Sequence, residues 1–264
     1  MNLKLIGKTA LVTGSTAGIG LAIAESLVAE GANVVLNGRT RERVEAAVTT
    51  VKSGHDNARV SGVVADLSTA EGTDKVIEGI TDVDILVNNM GIFEPKPLEQ
   101  IPDEDWLKFF EANVMSGVRL SRFYLPKMKD KNWGRIVFIS SESGVQIPAE
   151  MVHYGMTKAA QIAIARGMAE TTAGTKVTVN SVLPGPTSSE GVSKFVEQMA
   201  AEQSVTTQQM EKQFFETTRP SSLLKRFIEP KEIGDLVAFV CSPLASAING
   251  AAIRADGGVI RSMI

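Results

Sequence analysis

Apolar residues along this chain fall into two alternating patterns. Short runs rich in β-branched residues, at 9–13, 33–37, 60–64, 84–88, 136–140, 176–180 and 251–254, read as strands. Between them an apolar residue returns every three or four positions, as at Ile19, Ile23, Leu27 and Val28, or Val44, Ala47, Val48 and Val51. That period is helical. Regular alternation of strand and helix predicts parallel strands joined by right-handed crossovers. The early strands are nearly continuously apolar, so both of their faces should be covered. The predicted fold is α/β, a doubly wound parallel sheet of about seven strands with helices on both faces.

No internal repeat and no linker interrupts the pattern, which predicts a single domain over 1–264. One region is irregular. From Pro184 to Pro230, proline and glycine give way to a Gln-, Glu- and Met-rich stretch before a helix resumes. Residues 186–228 read as a lid over the carboxyl edge of the sheet. An ordinary surface helical hairpin is the alternative.

Composition narrows the function classes. The 264 residues are 44% hydrophobic and 22% charged with a net charge of -3, and the charges interleave, so no polyanion-binding surface is expected and nucleic acid is an unlikely partner. The one cysteine, Cys241, cannot form an internal disulfide, and His55 and His153 stand apart from any cysteine. A reducing compartment and no structural metal are therefore expected. Residues 1–8 lead straight into the first strand without a secretory pattern, and no apolar run approaches the ~20 residues that span a bilayer. These features predict a cytoplasmic protein.

The first strand ends in Thr13-Gly14-Ser15-Thr16-Ala17-Gly18-Ile19-Gly20 and enters an amphipathic helix. Backbone amides of Gly14, Ser15, Thr16, Gly18, Ile19 and Gly20 converge there with a helix N-terminus, where a pyrophosphate could sit. The spacing G-x-x-x-G-x-G differs from the general dinucleotide fingerprint. After the second strand stand Asn37, Gly38, Arg39, Thr40 and Arg41, with no acid to hold a ribose 2′-OH. Arg39 can fork onto a 2′-phosphate, which favours NADP(H), with NAD(H) the alternative. Asp66 can accept from an adenine amino group or cap a helix starting near Ser68.

Tyr154 and Lys158 are four apart in a helical pattern, so their side chains share one face. An ammonium beside a phenol favours the phenolate, which a tyrosine with a reference pKa near 10 needs to act as a base at neutral pH. Ser141 follows the fifth strand, at the carboxyl edge where ligands bind in parallel sheets. Its hydroxyl can donate to a substrate carbonyl; Ser140 is its rival. Asn113 lies in the helical stretch 106–120, where asparagine is unfavourable unless it bends the helix or holds a partner.

In order, Thr13 to Gly20, Asp66, Asn88-Asn89-Met90-Gly91, Asn113, Ser141, Tyr154-x-x-x-Lys158, Pro184-Gly185 and Asp256-Gly257-Gly258 resemble a short-chain dehydrogenase/reductase across essentially the whole chain. The resemblance implies a Rossmann-like fold that binds NAD(P)(H), with Tyr154 as general acid or base. Lys158 would hold the nicotinamide ribose, Ser141 would orient the carbonyl or alcohol, and Asn113 would hold a water in a proton relay reaching Lys158. It also implies cofactor contacts at Ile19, Leu67, Asn89, Gly91, Pro184, Gly185 and Thr187. Two departures are Met90, commonly alanine, and Pro186, which stiffens the turn before Thr187. Family relatives usually pair through the helices of Asn113 and Tyr154, so a homotetramer or homodimer is expected. Ala159, Ala160, Ala163, Ile164 and Gly167 suit that packing or burial on the chain's own sheet.

The reaction implied is interconversion of a ketone and a secondary alcohol on a small molecule. Retention of Asn113, Ser141, Tyr154 and Lys158 argues against a catalytically silent nucleotide sensor; epimerase or dehydratase chemistry on the same fold is a further alternative. Candidate pocket residues are Phe93, Glu94, Ser143, Gln146, Ile147, His153, Phe214 and Phe215. The similar 3-oxoacyl carrier-protein reductases raise acyl carrier protein as a partner. Lys127, Lys129, Lys131 and Arg135 could dock it, or could complement a helix dipole.

Overall fold

Each of the seven apolar runs becomes a strand in the computed structural model, which describes residues 2–55 and 58–263. They are β1 (Thr9–Val12), β2 (Asn33–Gly38), β3 (Val60–Val64), β4 (Ile85–Asn88), β5 (Gly134–Ile139), β6 (Val177–Pro184) and β7 (Ala252–Ala255). All neighbours pair parallel in the order β3-β2-β1-β4-β5-β6-β7. The order reverses between β1 and β4, which opens the ligand crevice of a doubly wound sheet at their carboxyl ends.

The continuous apolarity of the strands has a simple cause. Ala10, Val12, Ile85, Val87, Val137 and Ile139 point into one core layer, and Leu11, Leu86, Ile136 and Phe138 into the other. Successive residues of a strand face opposite sides, so a sheet covered on both must be apolar at every position. Helices α1 (Gly18–Ala29) and α9 (Pro230–Val240) cover the first layer through Ile23, Leu27, Ile233 and Val237. α3 (Ala70–Gly79), α5 (Ser116–Asp130) and α6 (Val152–Glu170) cover the second through Val76, Leu120, Tyr124 and Ala165. β3 lies at the edge and leaves Ser61 and Gly62 exposed. α2 (Arg41–Ser53) joins β2 to it.

α4 (Asp103–Phe110) runs into α5 through a π turn, Glu111–Met115. Asn113 sits inside that turn, the departure from regular helix that an asparagine in this stretch pointed to. The irregular region after β6 forms two helices, α7 (Glu190–Glu202) and α8 (Thr207–Thr217). Ser189 caps α7, and a Thr206–Gln209 capping box starts α8. The hairpin has its own small core of Val196, Ala200, Met210, Phe215 and Phe227. The rings of Phe214, Phe215 and Phe227 meet pairwise at 5.1–5.2 Å.

Two surface expectations change. The basic cluster dissolves because Arg135 is buried, with Nη1 donating to the carbonyls of Gly134 and Lys176. Lys131 pairs with Asp82, and Lys127 donates to the Thr81 carbonyl. On α6 the buried face is His153, Gly155, Thr157, Lys158, Gln161, Ala165 and Ala169, whereas Ala163 and Gly167 are exposed. The small-residue face is therefore divided, with Ile164 packed against the chain's own core and Ala163 and Gly167 left open. Among the described residues no helix is long and apolar enough to cross a membrane.

Candidate active site

The glycine turn is held open by side chains from both flanking strands. Gly14 and Gly18 have positive φ, at 58° and 56°. A Cβ on Gly20 would lie 2.5 Å from both Asn89 Nδ2 and the Gly14 carbonyl. Asn89 Nδ2 donates to the carbonyls of Thr13 and Gly14 at 2.9 and 3.0 Å, and Thr13 Oγ1 accepts from the amides of Asn89 and Met90. Asn37 ties the other side, its Oδ1 accepting from the Gly14 amide. α1 then begins at Gly18 with no side-chain cap, so its first amides remain for an anionic ligand. A dinucleotide pyrophosphate fits that arrangement.

The expected cofactor contacts divide. Ser15 is a correction: its amide donates to the Asn37 carbonyl and its hydroxyl to the Val12 carbonyl, leaving neither donor for a phosphate. Thr16 sits where a Cβ on Gly38 would meet its methyl at 2.4 Å, so it lies over the end of β2. Arg39 is exposed and unpaired there, while Arg41 and Arg43 are engaged with Glu45 and Glu190. Asp66 folds onto Ser68, its Oδ1 accepting from the Ser68 amide and hydroxyl. The helix starts later than expected, at Ala70, capped by Thr69. The Leu67 side chain is buried in the core, and Met90 packs partly against the same layer. Gly185 is required because a Cβ would meet the Asp256 carbonyl at 2.5 Å. The Thr187 hydroxyl donates to Gly185's carbonyl at 2.9 Å.

Tyr154, Lys158, Ser141 and Asn113 come together at the carboxyl edge. Ser140 is removed as a rival, because its hydroxyl donates to the Lys158 carbonyl at 2.8 Å and ties β5 to α6. Ser141 Oγ accepts from the Ser143 amide and lines a cavity with Tyr154. Burial pushes the Tyr154 phenol up to about 12, with the Ser141 hydroxyl pulling the other way. Burial also lowers the Lys158 ammonium to about 7. Lys158 Nζ sits 5.5 Å from the centre of the Tyr154 ring, sharing its helix face, but the expected lowering of the phenol does not follow, because burial dominates and raises it. Its hydrogen bonds go elsewhere, to the Ile139 carbonyl at 2.9 Å and Gln161 Oε1 at 3.1 Å.

Gln161 is a residue that the sequence did not single out. It is 1% exposed, and its Nε2 donates to the Asn113 carbonyl at 2.5 Å while its Oε1 accepts from Lys158. Gln161 thus bridges Asn113 and Lys158 through its side-chain amide and fixes their separation. Asn113's own amide clamps Ile92 through its N–H and carbonyl and donates to Thr157 Oγ1. A lone glutamine inside the apolar run Ala159-Ala160-Gln161-Ile162 was the available signal.

The cavity measures about 390 Å³, within the range of small-molecule sites. Phe93 and Phe214 line it, as do Ser143, Ile19, Pro184, Gly185 and Thr187. Gln146 and Ile147 are corrections: both are exposed on the turn before α6 and do not line the cavity. His153 and Phe215 are also turned away. His153 is buried with its ring 4.1 Å from that of Phe109, and Phe215 lies in the hairpin core. Sequence reasoning also missed Glu142, Glu150 and Arg219, which join across the cavity wall from distant segments and carry no local signature.

A model of the short chain dehydrogenase family matches residues 8–200. The chain belongs to the short-chain dehydrogenase/reductase family. It is accordingly an NAD(P)-dependent oxidoreductase of the CH–OH and carbonyl class. The family member "Uncharacterized oxidoreductase YvaG" of Bacillus subtilis is 49% identical over 263 residues, covering 100% of both chains. The D-beta-hydroxybutyrate dehydrogenase of Cupriavidus necator is 36% identical, covering 96% of this chain and 98% of the relative. Among solved structures, the L-sorbose reductase of Gluconobacter frateurii complexed with NADPH and L-sorbose superposes with a TM-score of 0.93 at 31% identity, covering 100% of both chains.

Proposed function

We propose that this enzyme prefers NADP(H) and interconverts a small-molecule ketone and its secondary alcohol, with Tyr154 as proton donor and acceptor. The observation that carries the reading is a shared space: Ser141 and Tyr154 line the same cavity as Ile19 of the glycine turn. A bound nicotinamide cofactor supplies or accepts the hydride. Tyr154, with its phenol near 12 in the free protein, holds its proton at neutral pH and is ready to give it to a carbonyl oxygen. Ser141 donates to that oxygen and orients it. Two of the three Lys158 N–H bonds are engaged, leaving one for a cofactor ribose hydroxyl. Gly91 keeps the approach clear, since a Cβ there would stand 3.4 Å from Nζ. Unpaired Arg39 beyond β2 supports NADP(H), as does the NADPH in the similar sorbose reductase.

The α7–α8 hairpin, within 186–228, is read as a substrate lid of the single domain, because Val192, Met199 and Phe214 contribute its cavity wall. Exposed Leu107 and Phe110 on α4 and exposed Ala163 and Gly167 on α6 support a homodimer or homotetramer, measurable by light scattering. Buried, unpaired Cys241 is compatible with the cytoplasm. With three of the four basic residues committed elsewhere, docking of acyl carrier protein loses its support.

The deciding experiment is a screen of ketones and alcohols with NADPH and NADH, repeated with Tyr154→Phe. Turnover should appear with NADPH and fall about 10²–10⁴-fold in the variant, the share a positioned acid contributes. NADPH binding, read by nucleotide fluorescence, should persist. Tight binding without turnover by the parent enzyme would defeat the proposal.

A further inference from the structure

Ser141 is followed directly by a buried carboxylate. Glu142 is 3% exposed and opens the short turn Glu142–Gly144. Its Oε1 accepts from Arg219 Nε at 2.9 Å, whereas its buried Oε2 has no hydrogen bond of full geometry, the Ser143 hydroxyl being the neighbour that also steadies the carboxylate. Burial raises the pKa of this carboxyl, and Arg219 opposes the rise. Glu142, Glu150 and Arg219 all line the cavity that holds Ser141 and Tyr154.

The charges around this wall do not balance. Arg219 also reaches Glu150, its Nη1 lying 3.1 Å from Oε1, and Asp256 is close enough to push Glu142 further up. One guanidinium therefore answers the two carboxylates of the cavity wall, and an anionic substrate meets repulsion close to the reacting hydroxyls. The apolar lining, Phe93, Met199 and Phe214 among it, suits a carbon skeleton and leaves the Ser143 hydroxyl as the wall's own polar neighbour of Glu142. A buried carboxylate oxygen without a donor is costly, and a ligand that brings one recovers the cost. A hydroxyl suits the position in either ionisation state, since it donates to a carboxylate and accepts from a carboxylic acid.

Resting on the ketone–alcohol reading above, we propose that Glu142 selects neutral hydroxylated substrates, polyhydroxy ketones and their polyols, over keto acids and plain ketones. Arg219 holds Oε1, so Oε2 is the oxygen left for a substrate hydroxyl. The pair also joins the catalytic edge to the segment leaving α8, so substrate recognition and hairpin position share one ion pair.

The test compares a ketohexose, 2-hexanone and a keto-hexonate as substrates for NADPH oxidation by the parent enzyme, Glu142→Gln and Glu142→Asp. The parent should prefer the ketohexose to both others by at least tenfold in kcat/KM. Glu142→Gln, which keeps the shape but removes the charge, should lower the ketohexose to 2-hexanone ratio at least tenfold and raise the keto-hexonate relative to the ketohexose. Glu142→Asp should retain discrimination against the acid. Equal losses on all three substrates would make Glu142 only the anchor of Arg219 and overturn the assignment. A parent enzyme that favours 2-hexanone or the keto-hexonate would overturn it without any variant. Failure of the parent on all three and on the wider ketone screen would instead defeat the ketone–alcohol reading, and this assignment with it.

Discussion

Replacing Gln161 with leucine removes the acceptor at 3.1 Å from Lys158 Nζ and the donor at 2.5 Å from the Asn113 carbonyl, at nearly constant volume. A hydrogen bond to a charged group contributes about 1.5–3 kcal/mol. At 1.36 kcal/mol per pKa unit, losing it lowers the Lys158 pKa by roughly one to two units. The group starts at about 7, already depressed by burial, with the Ile139 carbonyl as its other acceptor. The protonated fraction at pH 7 would then drop from about half to between roughly one and ten per cent. The assay is kcat/KM for ketone reduction from pH 5 to 9, since that ratio reports groups of the free enzyme. The alkaline limb should move to lower pH in Gln161→Leu. In Gln161→Glu, a carboxylate beside the ammonium should move it to higher pH. Opposite shifts cannot come from general damage to the fold. Identical limbs in all three proteins, with only a uniform loss of rate, would refute the role assigned to this amide.

Two further outcomes follow from the same site. Arg39→Ala should weaken NADPH about 10–100-fold, the worth of a charge-assisted hydrogen bond, while leaving NADH nearly untouched; dissociation constants for both nucleotides check this, and equal losses would remove Arg39 from 2′-phosphate recognition. Lys158 also sets a pH dependence of stability. Its folded pKa near 7 lies below the ordinary lysine value of 10.5, so between these values the unfolded chain binds the extra proton and stability rises with pH. Tyr154 acts in the opposite sense only above pH 10, because its folded value is about 12. Urea midpoints of the free protein should therefore rise from pH 7 to 9.5, and Lys158→Met should flatten that rise. An equal rise in the variant would assign it to other groups.

The corrections share a cause. Ser15, Gln146, Ile147 and His153 were placed by sequence position relative to the motifs, and adjacency does not fix which way a side chain turns. Ser15 turns inward because the tight glycine turn leaves buried backbone groups of Val12 and Asn37 that need partners. Ile147 leaves the cavity because it is drawn over Gly155, where a Cβ would meet it at 2.5 Å. Arg135 is enclosed by Trp133 and the carbonyls of Gly134, Lys176 and Ser242, contacts that its place in a basic run does not record.

What the sequence determined by itself was whatever local chemistry enforces. Strands buried on both faces must be apolar throughout, glycines must stand where φ is positive, and a tyrosine and lysine four apart on a helix must share a face. Those constraints gave the sheet, the turn and the pairing of Tyr154 with Lys158; Ser141 and Asn113 joined them through the resemblance to the family. The tertiary structure alone decided the joins between segments far apart in the chain: Gln161 onto the Asn113 carbonyl and Arg219 onto Glu142. The reason is physical. A buried polar group takes the partner that folding brings within hydrogen-bond distance, and no periodicity in the chain records which partner that is.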